Sequence, residues 1–249
     1  MFKYNQQDLE DQLLVLTGIG ASRFVGAFID DVSFWTKSLN NMADCIIEWF
    51  KVQQKWQYLE SIFVGSEDIR MQLPEAAKSF DRIDKAFKDI MKGVSNDQNC
   101  LNQCNQDGRL DQLVSLTERL DKCQKSLSDY LDTKRDAFPR FYFISDDELL
   151  SILGNSDPTS VQQHLLKMFA NCKKFHFGRN NKTIEGMTSS EGESYTFVNN
   201  SIVEGAVESW LTAAEAAMYE NLRLIMKKGV FMYAKMDRIK WVDEQVGMV

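Results

Sequence analysis

The chain has 249 residues, 44% of them hydrophobic, which suffices for a large core and lies near the upper limit for one compact domain, so one long domain or two stacked bundles are both open. Three prolines and thirteen glycines are few and favour helices over a turn-rich sandwich. A formal charge of −7, with lysine and arginine scattered, argues against a nucleic-acid partner, because binding phosphates needs a basic face that releases counterions.

Five cysteines stand at positions 45, 100, 104, 123 and 172 with no secretory leader ahead of them. This predicts a reducing, cytosolic setting, in which the sequons at Asn181 and Asn199 are chance matches. Leu13 to Ile29 is apolar enough to invite a membrane reading. It is short for a span, and Arg23 would cost about 2.5–3.5 kcal/mol to insert. A helix, a turn at Gly18 and Gly20, and a second helix are predicted instead.

The strongest periodicity runs through Trp35, Leu39, Met42, Ile46, Trp49, Val52, Trp56, Leu59 and Phe63, the spacing of a buried helical face. It predicts one helix of about forty residues, roughly 60 Å long, stopped by Gly65 and Ser66. Pro74 opens the next helix, with Phe80, Ile83, Phe87 and Ile90 inward and Gly93 as its stop. Ser95 to Gly108 is polar and reads as an exposed connection. Leu113, Leu116, Leu120, Cys123, Leu127 and Tyr130 then define a third long helix.

Pro139 ends that helix near Ala137. Phe138, Phe141, Tyr142 and Phe143 are expected to be buried as a junction between helical layers. Ser145 and Glu148 form a capping box ahead of Leu149, Leu150, Ile152 and Leu153, with Gly154 as the stop. Asp157-Pro158 starts another helix, with Val161, Leu165, Met168 and Cys172 inward. From 173 to 200 the period changes to two: Phe175 with Phe177, Ile184 with Met187, and Tyr195 with Phe197 predict a small antiparallel β-hairpin, turning at Ser189 to Gly192. A long helix from about Ile202 to Lys228, stopped by Gly229, and a final one from Phe231 to Gln245 complete the chain. The last is still amphipathic where it ends, which predicts further chain beyond it.

Candidate chemical sites are weak. Gly18-Ile19-Gly20 has Arg23 where a dinucleotide loop needs its third glycine, no strand precedes it, and no phosphate-loop motif occurs. Cys100 and Cys104 lack two further zinc ligands at finger spacing, whether Cys123, His164 or His176 is tried. Gln103, Asn105, Asp107, Gly108 and Val114 fail as a calcium loop at its first and last ligand places. Asp146, Asp147 and Glu148 read as a first helical turn favoured by the dipole rather than as a catalytic cluster. His164 is placed on a helix flank. Trp35, Trp49, Trp56 and Trp210 are assigned to the core, and Trp241 near an interface. No catalytic, cofactor-binding or metal-binding residue is assigned.

Several runs in order carry a family resemblance. Trp49 to Phe63, Gly65 to Arg70, Gln72-Leu73-Pro74-Glu75, Phe80-Asp81-x-Ile83-Asp84, Tyr130 to Arg135, Phe138 to Phe143, Ile152 to Pro158 and Ser190 to Glu193 resemble the linker region of dynein heavy chains, in the axonemal rather than the cytoplasmic transport form. The resemblance implies an all-α, elongated, arched stack of helical bundles across 1–249, with sub-bundles 1–94, 95–172 and 173–249 and the small β insertion near 173–200. It implies a non-catalytic lever that bends and straightens across an ATPase ring, located in the axoneme of a cilium or flagellum. ATP and magnesium then belong to the parent motor, with no cofactor in this piece. The implied partners are the ring, within the same heavy chain, and the microtubule only through the parent, with no membrane and no nucleic acid; the piece itself is expected to be monomeric. Motion is expected where apolar stripes break, at Gly65 to Leu73, Ser95 to Gly108 or 173–200. The rival reading is a helical scaffold that dimerises through the 35–63 or 110–131 stripe.

Overall fold

Apolar residues spaced by threes and fours fold as helices between positions 2 and 137. The computed structural model describes residues 2–244, with side chains from residue 7 onward. Helix α1 spans Phe2–Gly20; a turn and a 3-10 helix at Val25–Phe28 lead into α2, Ile29–Phe63. Among the described residues no helix is long and apolar enough to cross a membrane. α3 (Glu67–Gln72) is short, α4 spans Pro74–Asn96, α5 is one turn at Cys100–Cys104, and α6 spans Arg109–Ala137.

By its contacts the chain forms two units: residues up to 65 with 70–127, and 66–69 with 128 onward. In the first, rings zip the second half of α2 to α4. Trp56 meets Phe87 at 5.2 Å and Phe63 stacks on Phe80 at 5.4 Å, an antiparallel order. The Trp56 indole N–H donates to Asp84 Oδ1 at 3.0 Å, so the ring's polar edge is satisfied while its body packs. Val52, Leu59, Phe63, Phe80, Ile83 and Phe87 are buried, as are Leu113, Leu116 and Leu120 of α6; Lys55 of α2 pairs with Asp121 of α6 at 2.5 Å. The first half of α2 differs from expectation. Trp35 is 44% exposed, and Leu39, Met42, Ile46 and Trp49 are half-buried, with Ile46 and Trp49 facing an open pocket rather than a filled core.

Two stops lie elsewhere than expected in this unit. α4 continues past Gly93 to Asn96, and the polar connection contains α5, started by Asn99, whose side chain accepts from the Asn102 N–H. Gln103 and Cys104 are therefore buried rather than solvated.

The second unit is built from shorter pieces. Pro139–Phe143 is a 3-10 helix, whose three residues per turn align Phe138, Phe141 and Ile144 on one side. Those three are buried. Tyr142 and Phe143 turn outward and are 60% and 67% exposed, which corrects the expectation that all four rings are covered. α7, Asp146–Leu153, has the full capping box, with Ser145 and Glu148 bonding each other's backbone amides. Asp157 caps a 3-10 helix at Pro158–His164 rather than an α-helix, and α8 follows at Leu165–Met168. Val161, Leu165, Met168 and Cys172 are buried as their spacing predicts.

The β element is a three-stranded antiparallel meander, β1 (Lys174–Phe177), β2 (Thr183–Thr188) and β3 (Ser194–Ile202), in that order. Gly186 sits in β2 because a Cβ there would strike the Tyr195 carbonyl oxygen and crowd His176. Both outer strands are closed by amide side chains. Gln162 donates to the Phe175 carbonyl at 2.8 Å and accepts from its N–H at 2.9 Å. Buried Asn221 accepts from the Val198 N–H at 2.6 Å and donates to the Asn199 carbonyl at 3.3 Å. Each contact occupies part of an edge whose free backbone groups could otherwise template aggregation.

α9 spans Val207–Tyr233 and α10 Arg238–Glu244. α9 begins later than expected, since Ile202 ends β3, and runs through Gly229, which is buried in its last turns. The Trp241 indole N–H donates to the Gly229 carbonyl at 2.7 Å, and its ring meets Tyr233 edge-on at 5.2 Å. Phe231 thus belongs to α9, and Gln245 lies outside the described residues.

Candidate functional site

The residues tested for chemistry fall into structural roles. Glu148 receives the Ser145 N–H at 3.1 Å and the Lys167 ammonium at 2.6 Å, which together hold its carboxyl down to about 2. Asp146 pairs with Arg135 at 2.6 Å. The acidic run therefore starts a helix and anchors two cations. His164 is buried rather than on a flank, with neither ring nitrogen hydrogen-bonded and Nδ1 3.5 Å from Glu148 Oε1. His176 lies in the sheet, Nε2 2.6 Å from Thr188 Oγ1. Gly18 is inside α1, and Gln103 is buried. Among the described residues no group of three or more His, Cys, Asp or Glu is placed to hold a metal ion. Cys100 and Cys104 do meet, at 3.8 Å, and Cys45 of α2 joins them, a neighbour that its distance along the chain hides.

The three breaks between long elements differ in how they are held. At Ser95 to Gly108, Asn41 of α2 donates to the Cys104 carbonyl at 3.0 Å and to Asn105 Oδ1 at 2.9 Å, and Arg109 Nε donates to the Gln103 carbonyl at 3.3 Å. At 173–200 the sheet is tied by Gln162 and Asn221. Each of these two breaks lies inside one unit.

The remaining break, Gly65 to Leu73, is where the chain passes out of the first unit at Gly65 and back into it at Arg70. Gly65 has no room for a side chain, since a Cβ would clash with the Ser61 carbonyl oxygen of α2. Ser66 Oγ accepts from the Ile69 N–H at 3.3 Å and starts α3. Arg70 grips Asp81 of α4 with two N–H groups, at 2.7 and 3.1 Å, and donates to the Phe63 carbonyl at the end of α2, at 3.2 Å. The Asp81 carboxylate holds the Arg70 guanidinium above its ordinary range. One planar side chain thus fastens the end of α2 to α4, a role Arg fills through its forked donors. Periodicity does not announce it, because Arg70 and Asp81 belong to no shared stripe. α6 supplies the third passage, between Leu127 and Ser128, as unbroken helix.

Residues 2–229 match the family model for dynein heavy chain, N-terminal region 2. The chain is 57% identical over 241 residues to the dynein-1-alpha heavy chain of the flagellar inner arm I1 complex of Chlamydomonas reinhardtii, covering 97% of this chain. It is 48% identical over 247 residues to dynein axonemal heavy chain 10 of Homo sapiens, covering 98% of this chain. The dynein-1-beta heavy chain of the same Chlamydomonas complex is 39% identical over 247 residues. The chain spans only 5% to 6% of the length of these relatives.

Proposed function

The chain belongs to the dynein heavy chain family, in N-terminal region 2, and from that premise we propose that it is a non-catalytic lever which bends and straightens against the motor's ATPase ring. The parent heavy chain supplies ATP and magnesium binding and the microtubule contact, and it works in the axoneme of a cilium or flagellum. Identity of 57% to the alpha chain of an inner-arm complex against 39% to its beta chain supports an alpha-type inner-arm parent.

The observation that carries the lever reading is the coincidence of the Gly65 to Leu73 break with two of the three passages between units. Long helices with buried stripes resist bending, so deformation concentrates where the hydrogen-bond ladder is interrupted. Arg70 fastens the two stretches of the first unit that flank this break, the end of α2 and α4. The stripe of α6 at Leu113, Leu116, Leu120 and Leu127 is buried within the chain, which leaves the dimerising-scaffold reading little apolar surface there.

Gly65→Ala is a poor probe of the joint, since it disturbs the end of α2. Arg70→Ala in the parent heavy chain tests it directly, with microtubule-gliding velocity and ATP turnover measured side by side. Velocity should fall severalfold while turnover is retained. Unchanged velocity, or turnover falling in proportion, would overturn the assignment.

A further inference from the structure

The thiols of Cys45, Cys100 and Cys104 take no part in the joint or the core stripes discussed above. Cys45 on α2 and Cys104 on α5 are buried, whereas Cys100, one helical turn before Cys104, is exposed. Cys100 Sγ lies 3.8 Å from Cys104 Sγ. Both line an open apolar pocket of about 290 Å³, walled by Ile46, Trp49, Met91 and Val94, through which a small neutral molecule can reach the sulfurs.

The electrostatics separate the three roles. The central Cys104 thiol shares hydrogen bonds with both neighbours, which brings Cys100 down to about 7 against the opposing effect of burial and also lowers Cys45, helped by the Arg109 charge. Cys104 itself is pushed up by those same two hydrogen bonds and by burial. Near neutral pH the exposed sulfur is thus thiolate to a large degree and the buried one beside it keeps its proton. The other two cysteines supply a contrast. Cys172 is pushed up to about 12 by burial and Cys123 is raised for the same reason, so neither is reactive.

We infer that Cys100 and Cys104 form an oxidative modification site for hydrogen peroxide, in which the Cys100 sulfur reacts first and the Cys104 sulfur closes a disulfide onto it. The Cys100 thiolate attacks one peroxide oxygen, the O–O bond breaks, and the departing hydroxide takes up a proton as water. The product is a sulfenic acid at Cys100. Cys104 sulfur then attacks Cys100 sulfur; the S–S bond forms, the S–OH bond breaks, and hydroxide leaves with the Cys104 proton as a second water. Two thiols lose two electrons in all, and one peroxide gains them.

Closure is within reach of a short helix of one turn that gives way locally. Residues four apart on a helix have Cα atoms about 6 Å apart, inside the roughly 4.4–6.8 Å window of disulfides, but their Cβ atoms are about 5–6 Å apart, wider than the roughly 3.5–4.5 Å of a disulfide, so the α5 turn must loosen as the sulfurs approach from 3.8 Å to about 2.05 Å. Closure turns the Cys104 sulfur away from Cys45. It also acts on the turn that Asn41 fastens to α2, so oxidation alters how α5 is attached. This inference does not depend on the lever reading.

The test uses the 249-residue chain, treated with graded hydrogen peroxide at neutral pH, alkylated and cleaved with trypsin. Cys100 and Cys104 fall on one tryptic peptide, 93–109, between Lys92 and Arg109. That peptide should lose two hydrogens and both alkylation sites at peroxide doses that leave Cys123 and Cys172 reduced. In Cys104→Ala, the sulfenic acid should be trapped at Cys100 by dimedone. Cys100→Ala, a change at an exposed position that spares the core, should abolish peroxide sensitivity of the peptide. Without peroxide, Cys100 should alkylate at least about tenfold faster than Cys172 at pH 7, with a midpoint near 7. A Cys45–Cys104 bridge, or a Cys100 that reacts no faster than Cys172, would overturn the proposal.

Discussion

The aromatic seam between α2 and α4 and the phenylalanine cluster around Phe141 bring rings together by different means. In the seam, Trp56, Phe63, Phe80 and Phe87 sit on two long helices whose period alone brings them together. In the cluster, Phe138, Phe141, Phe169 and Phe175 come from a helix end, a 3-10 turn, a loop and a strand, with neighbouring centroids 5.0 to 6.1 Å apart. Short pieces cannot satisfy their own backbone as a long helix does. Polar side chains do that work instead. Arg140 binds Glu215 at 2.7 Å and the Met168 carbonyl at 2.8 Å while lying 4.9 Å over the Phe169 ring, and Gln162 and Asn221 close the sheet.

The sharpest break of this contrast lies within one run. Phe141→Ala removes a fully buried ring and should cost about 3–5 kcal/mol, whereas Phe143→Ala, two residues on and largely exposed, should change stability by no more than about 0.5 kcal/mol. Urea unfolding of the two variants against the parent chain measures both. Equal losses would mean that the 3-10 turn does not sort the rings as described.

That run also shows where sequence reading stopped. Helices α2, α4 and α6, the capping box at Ser145, and the change to period two after Lys173 were legible, because each is written in residues close together in the chain. Tyr142 and Phe143 were misplaced because aromatic density alone does not tell a period of three from one of 3.6. Gly93 and Gly229 were expected to stop helices. Glycine costs a helix about 1 kcal/mol and does not end it, and at Gly229 the carbonyl is engaged by Trp241. The Arg70 contact with Asp81 and the meeting of Cys45 with Cys104 were not legible, since they join stretches that no local period relates.

The side-chain closure of the sheet offers a second way to break the comparison. Gln162→Ala strips two hydrogen bonds from the buried Phe175 backbone and should cost about 1–3 kcal/mol, with hydrogen exchange at the Phe175 amide accelerating far more than at Leu120 of α6. Asn221→Ala should do the same for Val198. If exchange at Phe175 and Leu120 accelerated together, the sheet would be opening only by global unfolding, and the amide closures would have no local role.

The cap of α7 should give a smaller effect. Ser145→Ala leaves the Glu148 N–H without its partner and should cost about 1 kcal/mol, read as a shift in the urea midpoint. Ser145→Thr should recover most of it. A loss of the same size in Ser145→Thr would point to packing around the Ser145 backbone rather than to the cap.

The smallest effect is the pH dependence of that same cap. In the folded chain the Glu148 carboxyl lies near 2, chiefly because it accepts from Lys167 and also from the Ser145 N–H, against an ordinary value of 4.5. A carboxyl depressed by folding binds its proton more readily in the unfolded chain, so its stabilising contribution is complete above about 4.5 and is lost as pH falls toward 2. Neutral pH should therefore show no dependence from this group, and acid should weaken α7 progressively across that window. Lys167→Ala removes the largest cause while sparing Ser145, so the Glu148 carboxyl resonance should titrate at a higher pH, closer to the ordinary value, and the acid-sensitive window should narrow from below. A Glu148 midpoint that did not move in Lys167→Ala would assign the depression to the helix start alone, and Ser145→Ala would then have to move it instead.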